Sequence, residues 1–124
     1  DLRITAPNRE PVIDVPALHT IEHLCATFLR NSDQKDDVVY FGPMGCRTGF
    51  YLILAGKYES KDIIPLMQEM FQFVCDWQDE IPGASAKDCG NYLDMNLPMA
   101  KWHARRFLEK TLLNISEDRL VYPE

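Results

Sequence analysis

No apolar run in this sequence approaches the roughly 18 residues that a bilayer-spanning helix needs, so no such helix is expected within it. The first residues show no signal-peptide pattern. Blocks of basic residues are also missing: 13 Lys and Arg stand against 19 Asp and Glu, for a net charge of −6. A protein that tracks nucleic-acid phosphates wants the opposite sign, so neither nucleic acid nor membrane is expected as a partner. Repeats and low-complexity tracts are absent, which removes solenoid architectures. No Met opens the chain. Asp1-Leu2-Arg3-Ile4-Thr5 reads like the middle of a strand, and a segment preceding it is expected.

What is present suits one globular domain over residues 1–124, with 46% apolar and 26% charged residues. Four cysteines occur. Cys25 and Cys75 fall inside apolar helical patterns, where a free thiol acts as a small core residue. Disulfides follow compartment, and this usage points to a reduced, cytoplasmic protein. Cys46 and Cys89 are left to explain.

Leu2 and Ile4 alternate with polar neighbours and predict a strand ending near Pro7-Asn8. Ile21, Leu24, Cys25, Phe28 and Leu29 recur at helical spacing and form one buried stripe. Val38 to Phe41 and Thr48 to Leu54 read as strands, with Gly42-Pro43-Met44-Gly45 as a tight loop between them. A second helix, capped by Ser60 or Asp62, carries Ile63, Leu66, Met67, Met70, Phe71, Val74 and Trp77 on one face. Pro65 lies in its first turn, where a missing N–H costs little. Residues 79–94 are loop-like, and a third helix starts near Asn96-Leu97-Pro98. Arg119 to Tyr122 reads as a short final strand. Helices interleaved with strands at this length predict a two-layer α+β domain.

The chemistry concentrates in His19-Thr20-Ile21-Glu22-His23. On a helix, His19 and His23 lie one turn apart and face the same way, opposite the apolar stripe. Two imidazoles can therefore reach one metal ion, with Glu22 beside them as acid/base. This H-x-x-E-H order is the inverted relative of the H-E-x-x-H metal motif. A catalytic metal usually takes three protein ligands and keeps a position open. Cys89, next to Gly90, is the candidate third ligand. Cys46 sits between glycines in Gly42-Pro43-Met44-Gly45-Cys46-Arg47-Thr48-Gly49, which implies special backbone angles or close approach. Arg47 and a nearby metal would lower its thiol pKa. From the residues alone, Cys46 is either a proton carrier or a fourth ligand closing a structural Cys2His2 shell. His103 reads as a surface residue, and Trp77 and Trp102 as packing residues.

Asp1-Leu2-Arg3-Ile4-Thr5-Ala6-Pro7-Asn8, Leu18-His19-Thr20-Ile21-Glu22-His23-Leu24, Gly42 to Tyr51 and Cys89-Gly90 occur in an order and spacing that resemble the S-ribosylhomocysteine lyase (LuxS) family. The resemblance covers essentially the whole chain. It implies a bacterial cytoplasmic homodimer with sites at the interface, and an antiparallel sheet covered by helices. The implied reaction cleaves S-ribosyl-L-homocysteine to L-homocysteine and 4,5-dihydroxy-2,3-pentanedione, the precursor of the quorum-sensing signal autoinducer-2. The implied metal is Fe2+, one per subunit, with Zn2+ or Co2+ able to substitute; donor spacing alone suggests Zn2+ first. Carried over residue by residue, the motifs imply metal ligation by His19, His23 and Cys89 and acid/base roles for Glu22 and Cys46. Arg3 and Arg47 then fall on the substrate side. Two departures stand out. Tyr40 occupies a position where many members have Asp, and the family's segment before the first strand is missing.

Two other readings compete. A metallopeptidase would share H-x-x-E-H but want a carboxylate third ligand, such as Glu109 or Glu117. A zinc-stabilised binding module would close its shell with His19, His23, Cys46 and Cys89 and unfold without metal.

Overall fold

A computed structural model describes residues 1–120. Its elements are β1 (Leu2–Arg3), α1 (Val15–Arg30), β2 (Val38–Pro43), β3 (Gly49–Leu54), α2 (Ile64–Asp76) and α3 (Leu97–Lys110). Short 3-10 turns cover Ser60–Ile63, Leu112–Asn114 and Glu117–Arg119. The class is α+β, with a three-stranded antiparallel sheet in the order β1-β3-β2 and three helices.

α1 starts because the Asp14 carboxylate accepts the Ala17 N–H at 3.1 Å and Pro16 occupies the first turn. The predicted stripe is the buried one: Ile21, Leu24, Cys25 and Leu29 are sealed, and Phe28 packs at their edge. α1 lies against β2, α2 and α3. α3 is capped by Asn96, whose side chain accepts the Met99 N–H at 3.1 Å, as the Asn-Leu-Pro start predicts. Phe71 of α2 meets Phe107 of α3 edge-on, with centroids 4.9 Å apart. Cys25 and Cys75 are free and buried; burial pushes both thiols up, Cys25 far above its usual range.

In the sheet, Phe41 pairs with Leu52 and Pro43 with Phe50; Phe50 is buried in the core, and Phe41 and Leu52 pack against it. Tyr40, Tyr51 and Ile53 point to the other face and are exposed.

Several sequence expectations need correction. β2 runs on through Gly42 and Pro43, so the tight turn comes later, over Met44–Arg47. β3 begins at Gly49; Thr48 is buried at its root. Neither Ser60 nor Asp62 caps α2 directly. A 3-10 turn precedes the helix, and there the Asp62 carboxylate accepts the Glu59 N–H at 2.9 Å. His103 is not a surface residue. It is 6% exposed, because α3 turns it toward Asp14 at the start of α1. Arg119 lies in a 3-10 turn and Leu120 in a bend, so neither is in a strand, and residues 121–122 of the predicted final strand fall outside the described residues.

Candidate metal centre

α1 carries His19, Glu22 and His23 at half-buried positions on one side. The ring Nδ1 of His19 donates to the Asp94 carbonyl at 2.9 Å, and Nδ1 of His23 donates to the Pro82 carbonyl at 2.9 Å. A carbonyl oxygen only accepts, so each Nδ1 carries a proton, which is the single proton of a neutral ring. Each Nε2 is then left with a bare lone pair. The two Nε2 atoms face each other at 3.0 Å, and the Cys89 Sγ lies 3.4 Å from Nε2 of His19. These three donor atoms fall within 4.8 Å of one another. Lone pairs converging at that distance repel unless a cation stands between them, so the donor set fits a metal ion.

The loop after α2 builds the other half of the centre. Ile81-Pro82-Gly83-Ala84 is a turn closed by Ala84 N–H on the Ile81 carbonyl at 3.1 Å. Gly83 has φ +73°, the left-handed value that a type II turn demands of its third residue. A Cβ there would lie 3.2 Å from His23 Nδ1, so the glycine also lets the turn approach the ring. Farther on, Cys89 N–H donates to the Ser85 carbonyl at 2.9 Å, and Asn91 N–H donates to the Cys89 sulfur at 3.4 Å. The loop is tied back to α1 by Thr20. Its buried hydroxyl donates to the Pro16 carbonyl at 2.8 Å and accepts the Asn96 N–H at 2.9 Å.

Cys46 stands in a second constellation. Met44–Arg47 closes by Arg47 N–H on the Met44 carbonyl at 3.0 Å, with Arg47 at φ +61°. That left-handed residue brings Thr48 back beside Cys46, Oγ1 to Sγ at 3.1 Å. From β1, Arg3 Nη1 donates to Thr48 Oγ1 at 2.7 Å and reaches the Cys46 sulfur at 3.7 Å. The Thr48 hydroxyl and backbone N–H, and then Arg3, hold the exposed Cys46 thiol down to about 7. β1 can come this close because residue 49 is glycine; a Cβ there would lie 1.8 Å from the Leu2 carbonyl oxygen.

The S-Ribosylhomocysteinase (LuxS) family model matches residues 1–118. The S-ribosylhomocysteine lyase of Clostridium beijerinckii is 63% identical over 124 residues, covering 99% of this chain and 78% of that protein. The enzymes of the same name from Clostridium acetobutylicum and Finegoldia magna are 62% and 59% identical, each over 100% of this chain and 78% of the relative. The chain belongs to the LuxS family.

In this LuxS-family chain the sequence-predicted residues separate into two groups. His19, His23 and Cys89 come together, with Glu22 directly before His23 on the same helix. Cys46 and Arg3 come together around Thr48, and Cys46 is not part of the donor cluster. The closed Cys2His2 shell is therefore not what this geometry forms. Glu109 is exposed and lies 3.9 Å from Arg105, away from the donors, so it is not the carboxylate ligand a metallopeptidase needs. The lowered Cys46 thiol is a correction of cause: Thr48 and Arg3 produce it, while Arg47 is exposed and supplies the turn's backbone. Of the two glycines flanking Cys46, backbone approach explains Gly49, whereas Gly45 has open space around it and no left-handed backbone. Tyr40 folds its ring over Gly42 on the outer side of the sheet. Sequence reading missed Thr20, Gly83 and Thr48. Only Gly83 had a local signal, the Pro-Gly pair of a turn.

Proposed function

We propose that this chain cleaves S-ribosyl-L-homocysteine to L-homocysteine and 4,5-dihydroxy-2,3-pentanedione, the autoinducer-2 precursor. The observation that carries the reading is the convergence of two Nε2 lone pairs and the Cys89 sulfur. On this reading His19, His23 and Cys89 hold one metal ion, Fe2+ with Zn2+ or Co2+ able to replace it. The bound metal supplies a Lewis acid that polarises a sugar carbonyl. Cys46 and Glu22 carry the protons. A proton leaves C2 and returns at C1 as the carbonyl moves from C1 to C2, and a second such exchange moves it to C3. Loss of the C4 proton then expels the homocysteine thiolate from C5, breaking the C–S bond. A thiol held at about 7 suits a group that must both take and return a proton near neutral pH. Arg3 and Arg47 take the substrate side in the same proposal.

The layered sandwich of the family, a homodimer with sites at the interface and a bacterial cytoplasmic setting belong to this proposal as well. The dimer draws support from the exposed apolar face formed by Tyr40, Tyr51 and Ile53. The reduced setting draws support from four free cysteines. Among the described residues no helix is long and apolar enough to cross a membrane.

The test is to incubate metal-loaded protein with S-ribosylhomocysteine and follow free thiol. Thiol release is expected from the wild type, and Cys46→Ala is expected to keep its metal and release none. Peptide hydrolysis without thiol release would put the metallopeptidase reading in its place.

A further inference from the structure

We propose that Thr48 is a positioning residue for Cys46, its buried hydroxyl donating to the sulfur while it accepts from Arg3. This rests on the reading of Cys46 as a proton carrier. The hydroxyl has one proton and two lone pairs. Arg3 Nη1 occupies a lone pair at 2.7 Å, so the Thr48 proton must point elsewhere. The sulfur of the Cys46 thiolate, which has no proton to donate, is the acceptor in reach at 3.1 Å. The chain of donors runs from Arg3 to Thr48 to Cys46, and it ends on the atom that gains negative charge. A thiolate held this way keeps its direction as well as its charge.

Thr48 is suited to the task by its backbone as well. Its carbonyl accepts both the Ile4 N–H at 2.8 Å and the Thr5 N–H at 3.1 Å, so the strand that carries Arg3 is latched to the residue that orients it. Its side chain is β-branched, which restricts χ1 and fixes where the hydroxyl points. Asp1 lies 3.8 Å from Nη2 of Arg3, leaving Nη1 to Thr48. Arg3 alone is a weak substitute, because its distance to the sulfur is 3.7 Å and it is half exposed.

The experiment compares Thr48→Val, Thr48→Ala and Thr48→Ser with the wild type, all metal-loaded so that Cys89 is occupied. Cys25 and Cys75 are buried, so alkylation by iodoacetamide reports Cys46. The alkylation rate against pH is expected to have its midpoint at about 7 in the wild type and in Thr48→Ser. Val and Ala are expected to move it upward toward the ordinary thiol value of 9. One unit of that movement leaves about a tenth of the thiol ionised at pH 7 in place of a half. In thiol release from S-ribosylhomocysteine, kcat is expected to fall with KM little changed, because the hydroxyl does not touch substrate. Serine is expected to restore both readouts. An unmoved midpoint in Val and Ala overturns the proposal, as does an equal loss in Ser. Using two variants without the hydroxyl guards against one that fails to fold. The failures are separable: an active Cys46→Ala removes the functional reading of Cys46, whereas an unmoved midpoint beside an inactive Cys46→Ala removes only the role of Thr48.

Discussion

Nε2 of His19 and Nε2 of His23 face each other 3.0 Å apart, and the proton of each ring is committed to a backbone carbonyl on its far side. The two carbonyls, Asp94 and Pro82, come from one loop. That loop also carries Cys89, so a single segment supplies the third donor and sets the tautomers of the other two.

Gly83 is where this arrangement is easiest to disturb. Gly83→Ala puts a Cβ 3.2 Å from His23 Nδ1 and asks alanine to hold φ +73°, a strain of about 1–2 kcal/mol. Metal affinity is expected to drop about 10-fold or more, as for other losses of support behind a ligating histidine. Competition with a chromophoric chelator measures it, and unchanged affinity would mean that the Pro82 carbonyl is not what orients His23.

Gly49 tests the coupling of β1 to the site. Gly49→Ala drives a Cβ to 1.8 Å from the Leu2 carbonyl oxygen, a backbone atom that cannot swing aside. A loss of stability of about 1–3 kcal/mol is expected in urea denaturation. The Cys46 alkylation midpoint should rise as well, since Arg3 moves with β1. A stable variant with a normal midpoint would contradict the register of β1 against β3.

His103 gives a pH dependence. Its ring is buried beside Asp14, and Nδ1 has no hydrogen-bond partner. Burial lowers its pKa below the ordinary 6.5, against the opposing pull of Asp14 and with Arg106 adding to the fall. The neutral ring is therefore the folded form. Its contribution is complete above pH 6.5 and is lost as pH falls through the lower folded-state value. The Tm of the wild type is expected to fall relative to His103→Gln on acidification from neutral pH. A constant difference between the two melting curves across that range would place the ring in a more hydrated setting than the structure does.

The Glu10–Arg106 pair joins the loop before α1 to α3. Both guanidinium nitrogens of Arg106 reach the two oxygens of Glu10, which also accepts the Ala6 N–H at 3.0 Å. The hydrogen bonds from Arg106 and Ala6 lower the Glu10 pKa below 4.5. The pair is partly solvated, so Arg106→Ala is expected to cost only about 1 kcal/mol at neutral pH. That stability is present above pH 4.5 and vanishes as pH falls through the folded-state value, where wild type and variant should converge. Urea denaturation in neutral and in acidic buffer checks both parts.

How much of this was legible in sequence depends on how far apart in the chain the partners lie. The four-residue spacing of His19 and His23, the apolar stripe behind them and the Asn96 cap are local. They follow from the helical repeat and from which side chains satisfy a helix start, so the residues by themselves determined them. The donor types determined that a metal was a reasonable tenant. Tertiary structure alone decided which ring nitrogens face the metal position, because Asp94 and Pro82 lie 75 and 59 residues from the histidines they hold. It also decided what lowers the Cys46 thiol. The neighbour in sequence, Arg47, turns into a left-handed bend, while Arg3 arrives from 43 residues away by strand pairing. His103 is the same lesson in reverse: a polar residue on a mostly polar helix reads as exposed, until another helix start closes over it. A chain pattern encodes which face a residue takes on its own element, and packing decides what that face meets.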